Sequence, residues 1–367
     1  MENVDIALSD NERKHLILTG KNGSGKTSLL EAMRNDIFLK QINTPIKQWP
    51  SAFGHNPQWA RLLLLGGKKS MPAIEIMYSA PIRDFLNVTF AYISAARTIP
   101  EIPKAVEAVE IYGKNIVSRN TSKDFLKYIL ILYVQYLSAK ESGDSASDIA
   151  KYSTWLENFT NALREIYDCQ ELKLKADMKS LTFQVIMPGR EQFRLHEMSD
   201  GYAAFIEIYM ELLMRLEKSD AVVEYANPAI VLIDEIETHL HVELQKRALP
   251  FLTKSFPNVQ FIVTTHSPFV ISSRADAIVY DLDKHVRLED ASLYSYDEII
   301  EGFYDLDNVS IKALAVFERY KMLCESRELS DTENDEIIEL RTRLKQVSPA
   351  NKSLYLAFAT YEQGRKK

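Results

Sequence analysis

A glycine-rich turn near the start of the chain limits its fold more than any other feature. Residues 14–30 read KHLILTGKNGSGKTSLL: an apolar run, three closely spaced glycines, Lys26-Thr27, and then a helical pattern. Glycine permits the tight turns that bring backbone N–H groups together around phosphate oxygens, and the positive N-terminal end of the following helix faces the same point. The segment therefore predicts a strand, a phosphate-binding loop and a helix, which is the Walker A arrangement.

The residues of this loop predict two cofactors, ATP and Mg²⁺. Lys26 provides a positive charge for the β and γ phosphates, and the Thr27 hydroxyl is placed to ligate Mg²⁺. The alternative, an ordinary glycine-rich turn, does not explain why the spacing, the Lys-Thr pair and the flanking segments occur together. The candidate nucleotide-binding residues are Gly20, Lys21, Asn22, Gly23, Ser24, Gly25, Lys26, Thr27 and Ser28.

A second apolar strand supplies the acidic residues that an ATP-hydrolysing site needs. The segment PAIVLIDEIETHLH has an apolar run from Ile230 to Ile233, followed at once by Asp234-Glu235. Asp234 is predicted to help hold Mg²⁺, and Glu235 to act as the general base for the attacking water. The alternative is a strand that simply ends in a solvated acidic loop.

A third apolar strand ends in polar residues that suit the same site. The segment VQFIVTTHSP places His266 directly after two threonines. Because ligands of open parallel sheets bind outside the carboxyl ends of the strands, the three strand ends are expected to meet at one point. His266 then suits a catalytic sensor of the γ-phosphate, although a purely structural histidine is the alternative that its spacing leaves open.

Composition excludes several other classes of protein. The chain has 367 residues, 46% of them hydrophobic, and only two cysteines, Cys169 and Cys324, so we expect neither a disulfide framework nor a cysteine-rich metal site. The first residues lack the apolar core of a secretory signal, and the run YILILYVQYL is too short to span a bilayer, which predicts a cytoplasmic protein without a membrane partner. The net charge of -7 gives no general attraction to nucleic acid, but a local basic groove stays an alternative.

The order of the motifs resembles that of ABC-type ATPases. Four motifs follow one another as in the stand-alone branch that includes RecF and the OLD (overcoming-lysogenization-defect) nucleases. They are Walker A at 20–27, MSDGY at 198–202, IVLIDE at 230–235 and TTHSP at 264–268. The stretches SDGYAAFIEI and VLIDEIETHLH are especially similar to the PtuA family, the ATPases of Septu and retron anti-phage systems.

This resemblance implies a role for the loop at 198–202. In the family, two ATPase heads sandwich two nucleotides, and the signature loop of one head caps the γ-phosphate held by the other. By the resemblance, Ser199, Asp200 and Gly201 are cofactor-binding residues, and the chain forms a homodimer around nucleotide or a higher oligomer. A capped core helix without any further role is the alternative. The same resemblance makes residues 237–241 the dimer-contacting D-loop, with a metal role for His239 and His241 as the weaker alternative.

The resemblance also implies the fold. We expect an α/β ABC-ATPase head, a P-loop sheet flanked by helices, built from 1–40 and 176–290. Residues 41–175 are expected to form an inserted lobe of strands and helices that is mostly helical, with strands at its edge within 71–98. Residues 291–367 are expected to form a C-terminal helical appendage. Asp281 and Asp283 have the spacing of nuclease metal ligands, but no glutamate motif precedes them, so they are predicted to close a strand end and turn.

By the same resemblance, the chain hydrolyses ATP and controls a partner effector in anti-phage defence, such as an HNH nuclease encoded nearby. One alternative is a RecF- or SMC-like repair ATPase that binds nucleic acid. Another is the ATPase subunit of a transporter. A neighbouring nuclease gene favours the first function, and DNA-stimulated hydrolysis with strong salt dependence favours the second.

Overall fold

The computed structural model describes ten stretches of the chain in two compact units. The first unit spans Met1–Ser295 and the second Tyr296–Lys367. The sequence had put the start of the C-terminal region at residue 291, five residues before this boundary. The described residues are 4–6, 13–43, 60–65, 73–78, 89–96, 124–216, 229–304, 311–326, 330–345 and 357–362.

A six-stranded sheet forms the centre of the first unit, in the order β12-β11-β2-β10-β9-β5. Five neighbouring strands run parallel and β12 is antiparallel to β11, which confirms the expected α/β fold with a mainly parallel sheet. The strands are β2 (His15–Thr19), β5 (Thr89–Ile93), β9 (Ala229–Ile233), β10 (Val259–Thr264), β11 (Ala277–Asp281) and β12 (Val286–Glu289).

The apolar runs of the sequence are strands because they are covered on both faces. Every residue of β2, β9 and β10 is buried. On one face, helix α1 (Lys26–Asn43) packs Leu30 and Met33 against Leu16, Leu18 and their neighbours in a single apolar cluster. A strand buried on both faces reads as a continuous apolar run rather than an alternating one, which is the pattern observed here.

One part of the predicted domain division is wrong. Residues 89–93 were expected to belong to the inserted lobe 41–175, but they form β5 and pair with β9 in the central sheet. The physical reason lies in the run TFAYI, whose β-branched and aromatic residues suit a strand that is buried at four of its five positions.

Two smaller antiparallel sheets accompany the central one. The first joins β1 (Val4–Ile6), β3 (Ala60–Leu65) and β4 (Ala73–Tyr78). The second joins β6 (Lys173–Asp177), β7 (Thr182–Ile186) and β8 (Phe193–Arg194), and Gly189 takes a positive φ of 71° in the turn between the last two.

Aromatic side chains join the helices of the first unit. Phe125 contacts Phe159 at 5.1 Å between ring centroids, Phe159 stacks on Tyr209 at 6.3 Å, and Tyr209 meets Phe251 edge-on at 5.3 Å. This row of rings crosses four helices and packs them together. The four helices are α2 (Phe125–Ser142), α3 (Ala146–Tyr167), α4 (Asp200–Leu216) and α5 (Val242–Ser255). A further short helix, α6 (Pro268–Ile271), follows β10.

The second unit contains α7 (Tyr296–Tyr304), α8 (Ile311–Glu325), α9 (Asp331–Lys345) and a helical segment at 357–362. Its core holds Tyr320, Leu340 and Phe358. A capping box starts α9, because Glu333 N–H donates to Ser330 Oγ at 3.3 Å and Ser330 N–H to Glu333 Oε2 at 2.8 Å. Within the described part of the chain, every helix is too short or too polar to cross a bilayer.

A buried histidine in β2 couples the stability of the central sheet to pH. His15 is 3% exposed, and its Nδ1 accepts a hydrogen bond of 3.1 Å from the backbone N–H of Phe261 in β10. Burial lowers the pKa of His15 to about 4, although the charge of Asp276 acts in the opposite direction. Because the pKa in the folded state is below the ordinary value of about 6.5, protonation favours the unfolded chain.

We therefore expect the fold to lose stability as the pH falls from about 6.5 to 4, by on the order of 3 kcal/mol when His15 is fully protonated. A His15→Asn variant keeps an acceptor for Phe261 N–H and does not titrate, so its free energy of unfolding is expected to fall less over this range. Denaturant titrations of both proteins at several pH values measure the difference. Parallel pH dependences would contradict the assignment to His15.

Candidate nucleotide-binding site

The Walker A loop has the closed shape that its glycines predict. Gly20, Gly23 and Gly25 all have positive φ angles, of 140°, 85° and 93°. A Cβ atom at Gly20 would lie 2.8 Å from Ser24 Oγ, so a side chain there would open the turn. Lys26 is buried under the loop, and its Nζ donates to the carbonyl oxygens of Gly20 at 2.8 Å and of Lys21 at 3.0 Å.

The charge of Lys26 lies near carboxylates from two loops, those that follow β9 and β11. Burial lowers the pKa of Lys26, and the negative charges of Glu235, Glu237, Asp283 and Asp234 oppose that shift. The structure thus brings the Walker A lysine to the residues that follow β9. Lys26 also lies near Asp283, whose Oδ2 accepts a hydrogen bond from Lys21 N–H at 3.4 Å.

Asp281 itself has a local role. It is fully buried at the end of β11, and its Oδ1 accepts from the backbone N–H groups of Asp283 at 2.7 Å and Lys284 at 3.0 Å. These bonds fit the strand end and turn that the sequence predicts for this aspartate.

Asp234 lies where a Mg²⁺ ligand set needs an acid. Its Oδ1 accepts hydrogen bonds from Thr27 Oγ1 at 3.2 Å and from Thr264 Oγ1 at 2.7 Å, and the residue is only 3% exposed. Thr27 lies in the first turn of α1, and Thr264 ends the neighbouring strand β10. Hydroxyl and carboxylate oxygens are the donors that Mg²⁺ prefers, so Thr27 and Asp234 fit this ion.

Glu235 is held in an unusual backbone conformation. Its φ angle is 44°, in the left-handed region that few residues other than glycine adopt. The N–H group donates to Thr264 Oγ1 at 2.7 Å, and the half-buried carboxylate accepts from Thr238 Oγ1 at 3.1 Å. The strained turn and these two hydrogen bonds fix the position of Glu235 directly after Asp234.

Glu237 is a residue of the site for which the sequence predicts no individual role, only a place in the D-loop. Its carboxylate accepts from Thr265 Oγ1 at 2.7 Å and from the backbone N–H of His266. The only signal in the sequence is a second acidic residue two positions after Glu235, and that pattern also suits a solvated turn. Thr264 was missed for the same reason, since a threonine that ends a strand is common.

His266 is placed beside the Walker A lysine by this network. Burial lowers its pKa, and so does the positive charge of Lys26, while Glu237 and Glu235 act in the opposite direction. A lowered pKa favours the neutral ring at pH 7, which offers one donor nitrogen and one acceptor nitrogen. His266 therefore has the surroundings of a group that meets a ligand next to Lys26.

The signature loop stands at the surface of the same unit. Helix α4 begins at Asp200, and Ser199 occupies the N-cap position, since its carbonyl oxygen accepts from Ala203 N–H at 2.9 Å. Ser199 and Asp200 are exposed, whereas Gly201 is buried. The two exposed residues at the positive end of a 17-residue helix are thus accessible to another molecule.

Gly201 is needed for packing inside its own subunit. A Cβ atom at this position would lie 3.0 Å from His241 Cδ2 and 3.1 Å from the carbonyl oxygen of His239. The start of α4 therefore packs directly on the turn that follows Glu237. The two histidines lie at this contact, and among the described residues no cluster of three metal-ligating side chains is found.

Tyr202, the last residue of the signature loop, packs against another side chain of its own subunit. Its ring stacks on Tyr167 at the end of α3, with ring centroids 4.2 Å apart and an angle of 11° between the planes. Tyr92 lies in β5, with the guanidinium of Arg34 4.9 Å from its ring centroid.

A protein-family model matches residues 98–272 and is described as "AAA domain, putative AbiEii toxin, Type IV TA system". The matched range contains the signature loop, Asp234-Glu235 and His266. The Walker A loop lies before it.

Two Septu proteins and a retron protein are similar to the chain. A Septu protein PtuA from Bacillus mycoides (strain KBAB4) is 26% identical over 372 aligned residues, which cover 96% of this chain and 49% of the relative. A Septu protein PtuA from Bacillus thuringiensis is 27% identical, over 51% of each chain. The Retron Vc95 probable ATPase from Vibrio cholerae serotype O1 biovar El Tor is 36% identical over 29% of this chain and 22% of its own. The resemblance expected from the motifs is confirmed, and the chain spans about half the length of the Septu relatives.

Solved SMC heads overlap the fold loosely. The SMC head bound to the C-terminal winged-helix domain of ScpA has a TM-score of 0.38 at 16% identity and covers 77% of this chain and 89% of its own. The SMC head domain from Thermotoga maritima has a TM-score of 0.36 at 13% identity and covers 76% and 93%. These TM-scores are too low to establish a common fold.

Proposed function

We propose, from the similarity to the Septu PtuA proteins and the retron ATPase, that this chain binds ATP with Mg²⁺ and hydrolyses it. The observation that carries the proposal is the distance of 3.2 Å between Thr27 Oγ1 of the Walker A helix and Asp234 Oδ1 at the end of β9. The two groups lie 207 residues apart in the sequence, and Glu235 follows Asp234 directly. A metal-binding pair beside a candidate base, next to a phosphate-binding loop with its lysine, is the arrangement that P-loop nucleotide hydrolysis uses.

Each residue of the site then has one task. The backbone N–H groups of the glycine-rich loop bind phosphate oxygens, and Lys26 exchanges its carbonyl partners for the β and γ phosphates. Thr27 and Asp234 hold Mg²⁺, which neutralises charge on the phosphates when it is bound. Glu235 accepts a proton from the attacking water, and His266 donates a hydrogen bond to the γ-phosphate and orients it.

We also propose that two copies of the chain close around nucleotide. The exposed Ser199 and Asp200 at the start of α4 support this step, because a helix N-terminus carries roughly half a positive charge that suits a γ-phosphate held by the other copy. Closing on ATP and opening after hydrolysis would give the chain two shapes that a partner can distinguish. The proposed partner is an effector of anti-phage defence such as an HNH nuclease.

The proposed activity is tested by comparing the wild-type protein with a Lys26→Ala variant. We expect the wild type to release phosphate from MgATP and the variant to lose both turnover and most ATP affinity, because the loop loses the charge that faces the phosphates. Phosphate release and equilibrium dialysis with ATP measure the two effects. Lys140→Ala removes an exposed lysine from α2 and serves as the control. Equal turnover in the wild type and in Lys26→Ala would refute the proposal.

The same preparations test the proposed partner. The chain is purified together with the products of its neighbouring genes, with and without MgATP, and nuclease activity is measured on the pool. An associated nuclease whose activity depends on nucleotide supports effector control. DNA-stimulated ATP hydrolysis without an associated effector supports the repair ATPase instead.

A further inference from the structure

The carboxylate of Glu237 connects the two loops that carry Glu235 and His266. One oxygen, Oε2, accepts from Thr265 Oγ1 at 2.7 Å, and the other, Oε1, accepts from the backbone N–H of His266. Glu237 belongs to the turn after β9, whereas both donors belong to the turn after β10. Each carboxylate oxygen therefore has its own donor, and both donors lie on the segment that positions His266.

A second hydrogen-bonded link runs parallel to the first. Gln245 in α5 donates through Nε2 to the carbonyl oxygen of Leu240 at 2.7 Å and accepts through Oε1 from Ser267 Oγ at 2.7 Å. Thr265 Oγ1 in turn accepts from Ser267 N–H at 3.0 Å. The backbone on both sides of His266 is thus tied to the turn that begins at Glu235.

A negative charge at Glu237 needs a reason, because the residue is only half-exposed and lies close to other carboxylates. Glu235 and Asp234 also face the Lys26 ammonium, and like charges in one site repel one another. A neutral side chain would close the turn without that repulsion. What a neutral side chain lacks is two acceptor oxygens for two donors at once, which a carboxylate provides in a fixed geometry.

We propose that Glu237 is a positioning residue, which holds His266 at the distance from Glu235 that γ-phosphate cleavage requires. The inference rests on the proposed ATP hydrolysis. Glu237 does not touch the phosphates itself; it acts through the backbone of His266. Loss of Glu237 is then expected to lower the rate of the chemical step. ATP binding depends on the Walker A loop and is expected to stay the same.

A Glu237→Met variant keeps the length of the side chain and removes both acceptors. We expect its kcat to fall about 10²-fold, since a small displacement of a catalytic group costs roughly this factor. The Kd for MgATP is expected to stay within about threefold of the wild-type value. Glu237→Gln keeps one acceptor oxygen, so its kcat is expected to lie between those of the wild type and Glu237→Met. Glu243→Met makes the same change at an exposed position of α5 and is the matched control, with kcat unchanged.

A double-mutant cycle with His266→Ala separates positioning from general support of the fold. If Glu237 acts through His266, Glu237→Met changes kcat less than about threefold once the imidazole is absent. A residue that only supported the fold would lower kcat by the same factor in both backgrounds. Thermal melts of all variants show which of them are folded, and if Glu237→Met is not, Glu237→Gln takes its place in the cycle.

Three outcomes overturn the inference. The first is wild-type kcat in both Glu237 variants, and the second is an equal loss of kcat with and without His266. The third is a rise in the Kd for MgATP that matches the loss in kcat. The same assay compares the turnover of the wild type with that of Lys26→Ala. Equal turnover in these two proteins shows that the proposed ATPase activity is wrong, and the inference is then wrong as well. A difference between them, together with any of the three outcomes above, shows that only the role of Glu237 is wrong.

Discussion

A Glu235→Gln variant is expected to bind MgATP as tightly as the wild type and to release phosphate about 10² to 10⁴ times more slowly. Glutamine has the shape of glutamate, so it can keep the hydrogen bond from Thr238 Oγ1 and the backbone bond to Thr264 Oγ1. Its amide cannot take a proton from water. Equilibrium dialysis with ATP and single-turnover phosphate release separate the two properties.

The control for this variant is Glu243→Gln, which makes the same chemical change eight residues further along at an exposed position of α5. It is expected to hydrolyse ATP at the wild-type rate. Unimpaired turnover in Glu235→Gln would show that another group takes the proton from water.

A Ser199→Arg variant is expected to keep ATP binding in the monomer and to lose ATP-dependent dimerisation, with a fall in turnover of about 10²-fold or more. Ser199 is exposed at the start of α4, so an arginine there can extend into solvent without disturbing its own subunit. In a closed dimer the same side chain would fill the space between the signature loop and the γ-phosphate. Sedimentation velocity with and without ATP, in the Glu235→Gln background to prevent hydrolysis, measures dimerisation.

Ser138→Arg is the matched control, because it places the same side chain at an exposed position of α2. It is expected to dimerise like the parent protein. A Ser199→Arg protein that dimerises and hydrolyses ATP normally would exclude the contact across the dimer. Gly201→Asp is unsuitable for this test, since the new side chain would collide with His239 and His241 of its own subunit.

The central part of the fold was predictable because its strands carry their signal locally. The runs at 15–19, 229–233 and 259–264 are mainly apolar and buried at every position, and polar residues end or directly follow each of them. The strand at 89–93 is similar, but it was assigned to the inserted lobe because nothing local indicates which sheet a short apolar strand joins. Sheet membership depends on partners that are far away in the sequence, here β9.

The residues of the site likewise fall into those with a local sequence signal and those without one. The Walker A loop, Asp234-Glu235 and His266 were proposed from residue types at fixed spacing, and the structure brings them together. Their catalytic roles stay predictions. Glu237 and Thr264 were not recognised, because their importance lies in hydrogen bonds to loops about 30 residues away. The contact of Gly201 with His241 has no sequence signal, since glycine also suits the start of any exposed loop.

The position of β2 in the sheet has a consequence for biosynthesis. This strand is made well before its neighbours β10 and β11, since Phe261 follows its contact His15 by 246 residues. At roughly 5–20 residues per second, translation of that interval takes about 12–50 s. During that time the nascent chain carries an apolar strand without its permanent partners, and the Walker A loop lacks Asp234. Assembly of the nucleotide site thus waits for the ribosome to pass β10, and a chaperone that shields residues 15–19 would act in this interval.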